Sequence, residues 1–149
     1  MIKVMVIHGP NLDLLGEREP EIYGSCSLAD INAAIAAEAK LLGLEVRCEQ
    51  SNSEGGIIDL IHEARTWANA IIINPAGYTH TSVAIYDALR AVRMPAIEVH
   101  LSNVAARPEE FRHRSLTGAA CVGMIAGFHT ASYTLALRAV KHLADQAQL

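Results

Sequence analysis

Short β-branched apolar runs recur between longer amphipathic stretches, and this alternation restricts the fold more than any other feature of the chain. Residues 2–7 are almost continuously apolar, as expected of a central strand buried on both faces. Ser27, with Asp30 three residues on, reads as a capping box. Leu28, Ile31, Ile35 and Leu42 then repeat at helical spacing, and Gly43 supplies the stop. Residues 44–50 alternate like an edge or near-edge strand, and the next helix carries Ile57, Ile61 and Ala64 on one face. A third strand over 70–73 halts at Asn74-Pro75, and a helix follows through Val83, Tyr86 and Leu89 to Met94-Pro95. A fourth strand is expected over 96–101, a Gly- and Ala-rich fifth around 119–125, and a last helix from about 131 to 146.

Parallel neighbours need crossover helices, so this order implies an α/β doubly wound sheet of five parallel strands with helices on both faces. A chain of 149 residues fits a single domain spanning residues 1–149. Its residues are 51% hydrophobic but only 5% aromatic, which suits a core of Ile, Val, Leu and Ala. Ligands of such sheets bind beyond the carboxyl ends of the strands. That rule selects the loops after Ile7, Ile73, Val99 and Ile125. The first of these, from His8 to Gly24, is far longer than the roughly 2–6 residues of an ordinary strand-to-helix connection. Gly16 and Gly24 bracket its distal part, which marks a mobile lid over about 16–25 carrying Arg18 and Tyr23.

Several function classes are disfavoured. The net charge of −4 is scattered, so no basic face is available for nucleic acid. Cys26, Cys48 and Cys121 have no metal-type spacing and read as reduced, mostly buried thiols. No site metal and no cofactor is expected: there is no His, Cys and carboxylate cluster, no Gly-x-Gly-x-x-Gly and no Walker-type loop after any strand. Lys3, Lys40 and Lys141 sit at a strand start or on helices and not at the carboxyl end of a strand, which argues against Schiff-base chemistry. A phosphoacceptor receiver would need acids where His8 and Asn74 stand, and an FMN-binding domain a different first loop. No signal peptide and no apolar run of about 20 residues opens the chain, so a cytoplasmic, membrane-free protein is expected.

The strand-end rule gathers Asn11, Arg18, Tyr23, Asn74, His80 and His100 near one rim. Glu98 precedes His100 by two, and residues i and i+2 of a strand share a face, so the carboxylate can orient the imidazole. Tyr23 poses an energetic problem as a base, since a phenol of pKa near 10 lies roughly 4 kcal/mol from ionisation at pH 7. A nearby cation lowers such a pKa by about 1–3 units, and Arg18 stands in the same loop.

Four blocks, in order, carry a resemblance. Gly9-Pro10-Asn11-Leu12-Asp13-Leu14-Leu15-Gly16 runs into Arg18-Glu19-Pro20 and Tyr23-Gly24. Asn74-Pro75 is followed by Tyr78-Thr79-His80-Thr81-Ser82. Glu98-Val99-His100-Leu101-Ser102-Asn103 and Glu110-Phe111-Arg112 complete the set. With these blocks the chain resembles the type II 3-dehydroquinate dehydratases. The resemblance implies a flavodoxin-like fold and a cofactor-free anti elimination of water from 3-dehydroquinate to 3-dehydroshikimate. It implies Tyr23 as base with Arg18 as its activator, Asn11 holding a water at the enolate oxygen, and His100, set by Glu98, as general acid. Asn74, His80, Arg112 and the backbone amides of Leu101 and Ser102 would bind substrate. Asp87, seven residues beyond His80 and on this spacing roughly on its helix face, would reach a neighbouring subunit's site in a dodecamer built from trimers. Asp13, Ala76, Ala105, Pro108, Leu116 and residues 127–133 depart from the family pattern, and Pro108 leaves the register of Arg107 and Arg112 open.

Overall fold

Among the described residues five strands form one parallel sheet in the order β2-β1-β3-β4-β5. They are β1 (Lys3–His8), β2 (Glu45–Gln50), β3 (Ala70–Asn74), β4 (Ala96–His100) and β5 (Gly123–Ala126). The structure, a computed structural model, describes residues 1–17, 19–23 and 26–149, and the side chains of Pro20 and Tyr23 lie outside that description. The helices are α1 (Pro20–Tyr23), α2 (Leu28–Leu42), α3 (Glu54–Trp67), α4 (Val83–Val92) and α5 (Thr130–Asp145), with short 3-10 turns between them. This is the α/β, flavodoxin-like doubly wound arrangement.

The two-residue period of each strand divides its apolar side chains between two cores. Val4, Val6, Ile72 and Val99 face Ile31 and Ile35 of α2 and Tyr133 and Leu137 of α5. Met5, Ile7, Ile71 and Ile73 face Ile57 and Ile61 of α3 and Ile85 and Leu89 of α4. Slipping any central strand by one residue would exchange its two sets of side chains, so packing specifies the register on both faces. β2 is an edge strand, and its alternating polar residues follow from that position.

The capping box at Ser27 forms as expected, with Ser27 Oγ accepting from Asp30 N at 3.1 Å and Asp30 Oδ2 accepting from Ser27 N at 3.0 Å. Gly43 takes a left-handed conformation at the other end of α2, with φ of 71°. The helix expected through Val83, Tyr86 and Leu89 forms as α4; its buried residues are Ile85, Ala88 and Leu89, whereas Val83 is 60% exposed and Tyr86 half-buried. Other expectations need correction. Residues Thr117–Ala120 form a 3-10 turn, so the fifth strand begins at Gly123. Cys26 is exposed and the other two thiols are half-buried, which corrects the expectation of mostly buried cysteines. His129 occupies φ 52°, ψ −131°, a region costing a residue with a side chain about 1–3 kcal/mol. Its N–H nevertheless donates to the Leu101 carbonyl at 2.9 Å, tying the start of α5 to the loop after β4. No helix among the described residues is long and apolar enough to cross a membrane.

Candidate active site

The carboxyl ends of β1, β3 and β4 open on a cavity of about 110 Å³. Asn11, Asn74, His80, His100, Leu101, Ser102 and Arg112 all line it. Arg107, left undecided by its register, lines it too. Its guanidinium reaches Ser102 Oγ at 3.4 Å, and the Nε atoms of Arg107 and Arg112 face Glu109 Oε2 at 3.9 and 3.5 Å. One carboxylate thus lies within ion-pair distance of two arginines on the same wall, and the pair of guanidinium groups makes that wall suited to an anionic or hydroxylated ligand. Among the described residues no group of three or more His, Cys, Asp or Glu could hold a metal ion.

His100 is the last residue of β4, where the strand delivers its side chain to the rim. Its Nε2–H donates to Glu98 Oε2 at 2.7 Å, which leaves Nδ1 as the ring atom that can pass a proton to a ligand. Glu98 is fully buried. Its Oε2 also accepts from Thr79 Oγ1 at 2.6 Å and Ser115 Oγ at 2.8 Å, and its Oε1 from Thr117 Oγ1. Burial alone would raise this carboxyl's pKa. The hydrogen bond and charge of His100, with the Thr117 and Thr79 hydroxyls, outweigh that cost and hold it below the ordinary carboxylate value. The pair can therefore stabilise an imidazolium. The spacing of Glu98 and His100 announced their contact. Nothing local announced the hydroxyl cage, because Ser115 and Thr117 come from a different segment of the chain.

His80 belongs to the 3-10 turn Ala76–His80, and its Nδ1–H donates to the Arg114 carbonyl at 2.8 Å. That turn ends before α4 begins, so the expectation that Asp87 shares a helix face with His80 does not hold. Asp87 is exposed on α4. Asn11 adopts the left-handed conformation, φ 69°, and its N–H donates to Asn52 Oδ1 at 2.9 Å, so the loop after β2 braces the loop after β1. Tyr23 ends α1, but its side chain lies outside the description, as do Arg18 and Gly24 of the expected lid.

Beneath the cavity lies a buried polar floor that the residue patterns did not suggest. Asn74 Nδ2–H donates to Tyr133 Oη at 3.1 Å, while Ala76 N–H donates to Asn74 Oδ1 at 3.0 Å. Gly9 N–H donates to the Asn74 carbonyl at 2.8 Å. A Cβ at Gly9 would lie 2.7 Å from the Pro75 carbonyl carbon, so only glycine permits this approach. His8 contacts Tyr133 Oη through Nδ1 at 2.9 Å and Asn32 Oδ1 through Nε2 at 2.8 Å. Burial pushes the His8 imidazole down from 6.5 to about 4, a shift only partly countered by the bond to Asn32.

A pH dependence of stability follows. Native His8 resists the proton that the unfolded chain accepts near pH 6.5, so its contribution is complete above pH 6.5 and is lost as pH falls through about 4. The shift corresponds to about 3 kcal/mol. Denaturant unfolding followed from pH 7 to pH 4 is expected to lose stability on this scale, and His8→Asn is expected to flatten that slope. Equal slopes in both proteins would contradict a neutral buried imidazole.

Comparison with known proteins shows the family of the chain. The family model described as Dehydroquinase class II matches residues 2–141. A 3-dehydroquinate dehydratase of Caldicellulosiruptor bescii is 56% identical over 146 residues, covering 97% of this chain and 100% of the relative. One from Sinorhizobium medicae is 52% identical over 145 residues, covering 97% of each chain. The crystal structure of a type II dehydroquinase from Butyrivibrio crossotus superposes with a TM-score of 0.91 at 46% identity, covering 93% of this chain and 97% of its own. The full-length match in sequence and fold makes this chain a member of the class II dehydroquinase family.

Proposed function

We propose that the protein is a 3-dehydroquinate dehydratase, a hydro-lyase that removes water from 3-dehydroquinate to give 3-dehydroshikimate. The observation that carries this reading is the His100–Glu98 pair opening on a cavity walled by Arg107 and Arg112, in a chain of this family. Tyr23, as a tyrosinate stabilised by Arg18, takes a proton from the carbon beside the ketone, and the electron pair passes into an enolate. A water held by Asn11 donates to the enolate oxygen, where charge develops. The enolate then expels the hydroxyl as His100 gives it a proton from Nδ1, and water leaves. Glu98 stabilises His100 as imidazolium before that transfer. Asn74, His80, Arg112 and the Leu101 and Ser102 backbone amides bind the hydroxyls and carboxylate.

The test is to add 3-dehydroquinate to purified protein and follow the absorbance of the conjugated enone. Steady production of the enone is expected near neutral pH; none at any pH would refute the reading. The residues also suit assembly as a dodecamer built from trimers, with Asp87 contributing to a neighbouring subunit's site. Asp87 is exposed on α4 beside Val83 and Tyr86, which the chain's own cores leave uncovered or half-covered. Asp87→Ala is expected to raise KM about tenfold while light scattering still reports twelve subunits, a loss on the scale of one charged hydrogen bond. An unchanged KM would count against the shared site.

A further inference from the structure

The floor of the cavity has a direction. Ala76 N–H donates to Asn74 Oδ1, so that oxygen is committed as an acceptor and Nδ2 must be the group facing Tyr133. Tyr133 Oη therefore accepts from Asn74, and its own hydrogen is available to His8 Nδ1. At the far end Asn32 Oδ1 accepts from His8 Nε2–H, which leaves Nδ1 of the neutral ring as the acceptor that the Tyr133 hydroxyl requires. Each bond is consistent with the next only if every donor points away from the cavity, from Asn74 through Tyr133 and His8 to Asn32. His8, Tyr133 and Asn74 are each at most 3% exposed, so no solvent is at hand to replace a missing partner. Burial also pushes the Tyr133 hydroxyl up and the His8 ring down in pKa, which keeps both neutral across the ordinary working range.

We propose that Tyr133, oriented by His8, is a positioning residue that fixes the Asn74 carboxamide so that it offers the substrate an N–H and never its oxygen. One Nδ2 hydrogen is spent on Tyr133, and the other is left for the cavity that Asn74 lines. The ligand atom opposite Asn74 must then be an acceptor, a hydroxyl lone pair or a carboxylate oxygen. A reversed amide would set its oxygen against that atom and would also turn an N–H₂ toward Ala76 N–H, which would lose its acceptor. The chain explains why a fully buried tyrosine and a fully buried histidine stand beneath a site they do not touch. It draws on β1, β3, α2 and α5, so it also locks the two helices of one sheet face to the rim.

The proposal rests on the reading that Asn74 contacts 3-dehydroquinate, and a double-mutant cycle tests it. Tyr133→Phe is expected to lower kcat/KM about tenfold, through KM and not kcat. In an Asn74→Ala background the same change should alter kcat/KM less than twofold, because the residue through which it acts is gone. His8→Asn can present its amide oxygen where Nδ1 stood and is expected to stay within about threefold of the parent, whereas His8→Leu should match Tyr133→Phe. Equal losses from Tyr133→Phe in both backgrounds would overturn the proposal. So would a lowered unfolding midpoint with kcat/KM unchanged, the result of a purely structural role. If Tyr133→Phe does not fold, the contrast between the two His8 variants decides in the same way. Should the parent protein not turn over 3-dehydroquinate, the function fails while the relay is still tested: the Asn74 side-chain amide resonances should shift and exchange faster in His8→Leu than in the parent, and unchanged resonances would overturn it.

Discussion

Tyr23→Phe is expected to lower kcat by about 10³-fold or more while KM changes less than about threefold, a loss within the range for removing a positioned general base. The phenol oxygen is the proton acceptor in the proposed elimination, and phenylalanine has no group to take its place. The work done on that oxygen is large, because at its usual pKa only about one phenol in a thousand is ionised at pH 7. In the proposed mechanism Arg18 supplies the correction, since a nearby cation favours the phenolate and Arg18 belongs to the same loop. Steady-state rates with 3-dehydroquinate, with circular dichroism confirming the fold, make the measurement. A variant that keeps more than a tenth of the parent kcat would rule out Tyr23 as the base.

Glu98→Gln is expected to damage both turnover and stability, which sets it apart from substitutions at the rim. Four donors converge on the native carboxylate: His100 Nε2–H and the hydroxyls of Thr79, Ser115 and Thr117. A glutamine offers one acceptor oxygen and turns an amide N–H₂ toward groups that also donate. Breaking a buried pair from one side costs about 3–5 kcal/mol, and rotation of the hydroxyls should recover part, so a loss of about 2–4 kcal/mol is expected. The imidazolium also loses its counter-charge, and kcat should fall about 10²-fold or more. The pH dependence provides a separate check. Because the native carboxyl is held below its ordinary value, its contribution is complete above the unfolded pKa of 4.5 and is lost as pH falls through the native one. The stability gap between parent and variant should therefore narrow below about pH 4, as expected from that linkage. A gap that stays constant down to pH 3 would contradict an ionised Glu98.

Both predictions depend on contacts of different legibility. The pairing of Glu98 with His100 could be read directly, since side chains two apart on a strand must share a face. So could the buried faces of the first two long helices, where Ser27 with Asp30 defines a start, Gly43 an end, and Ile57, Ile61 and Ala64 recur at helical spacing. The third long helix forms where expected, but its buried face was not legible in the sequence. Val83, Tyr86 and Leu89 are spaced as regularly as Ile85, Ala88 and Leu89, and periodicity cannot say which stripe the sheet will cover. His80 and Asp87 were likewise joined by a helical count that a 3-10 turn interrupts.

What the residues alone determined was the succession of strands and crossover helices, and with it the rim where Asn11, Asn74, His80 and His100 gather. These follow from periodicity and from chain connectivity, both local properties. Tertiary structure decided which side chains line and brace the cavity: Arg107 joining Arg112 on one wall, three hydroxyls closing on Glu98, and Tyr133 with His8 beneath Asn74. Apart from the two arginines, which share one short segment, each of those contacts joins residues far apart in the chain. A buried donor has no spacing rule for finding its acceptor; packing brings the two together, and the cost of leaving either unpaired keeps them there.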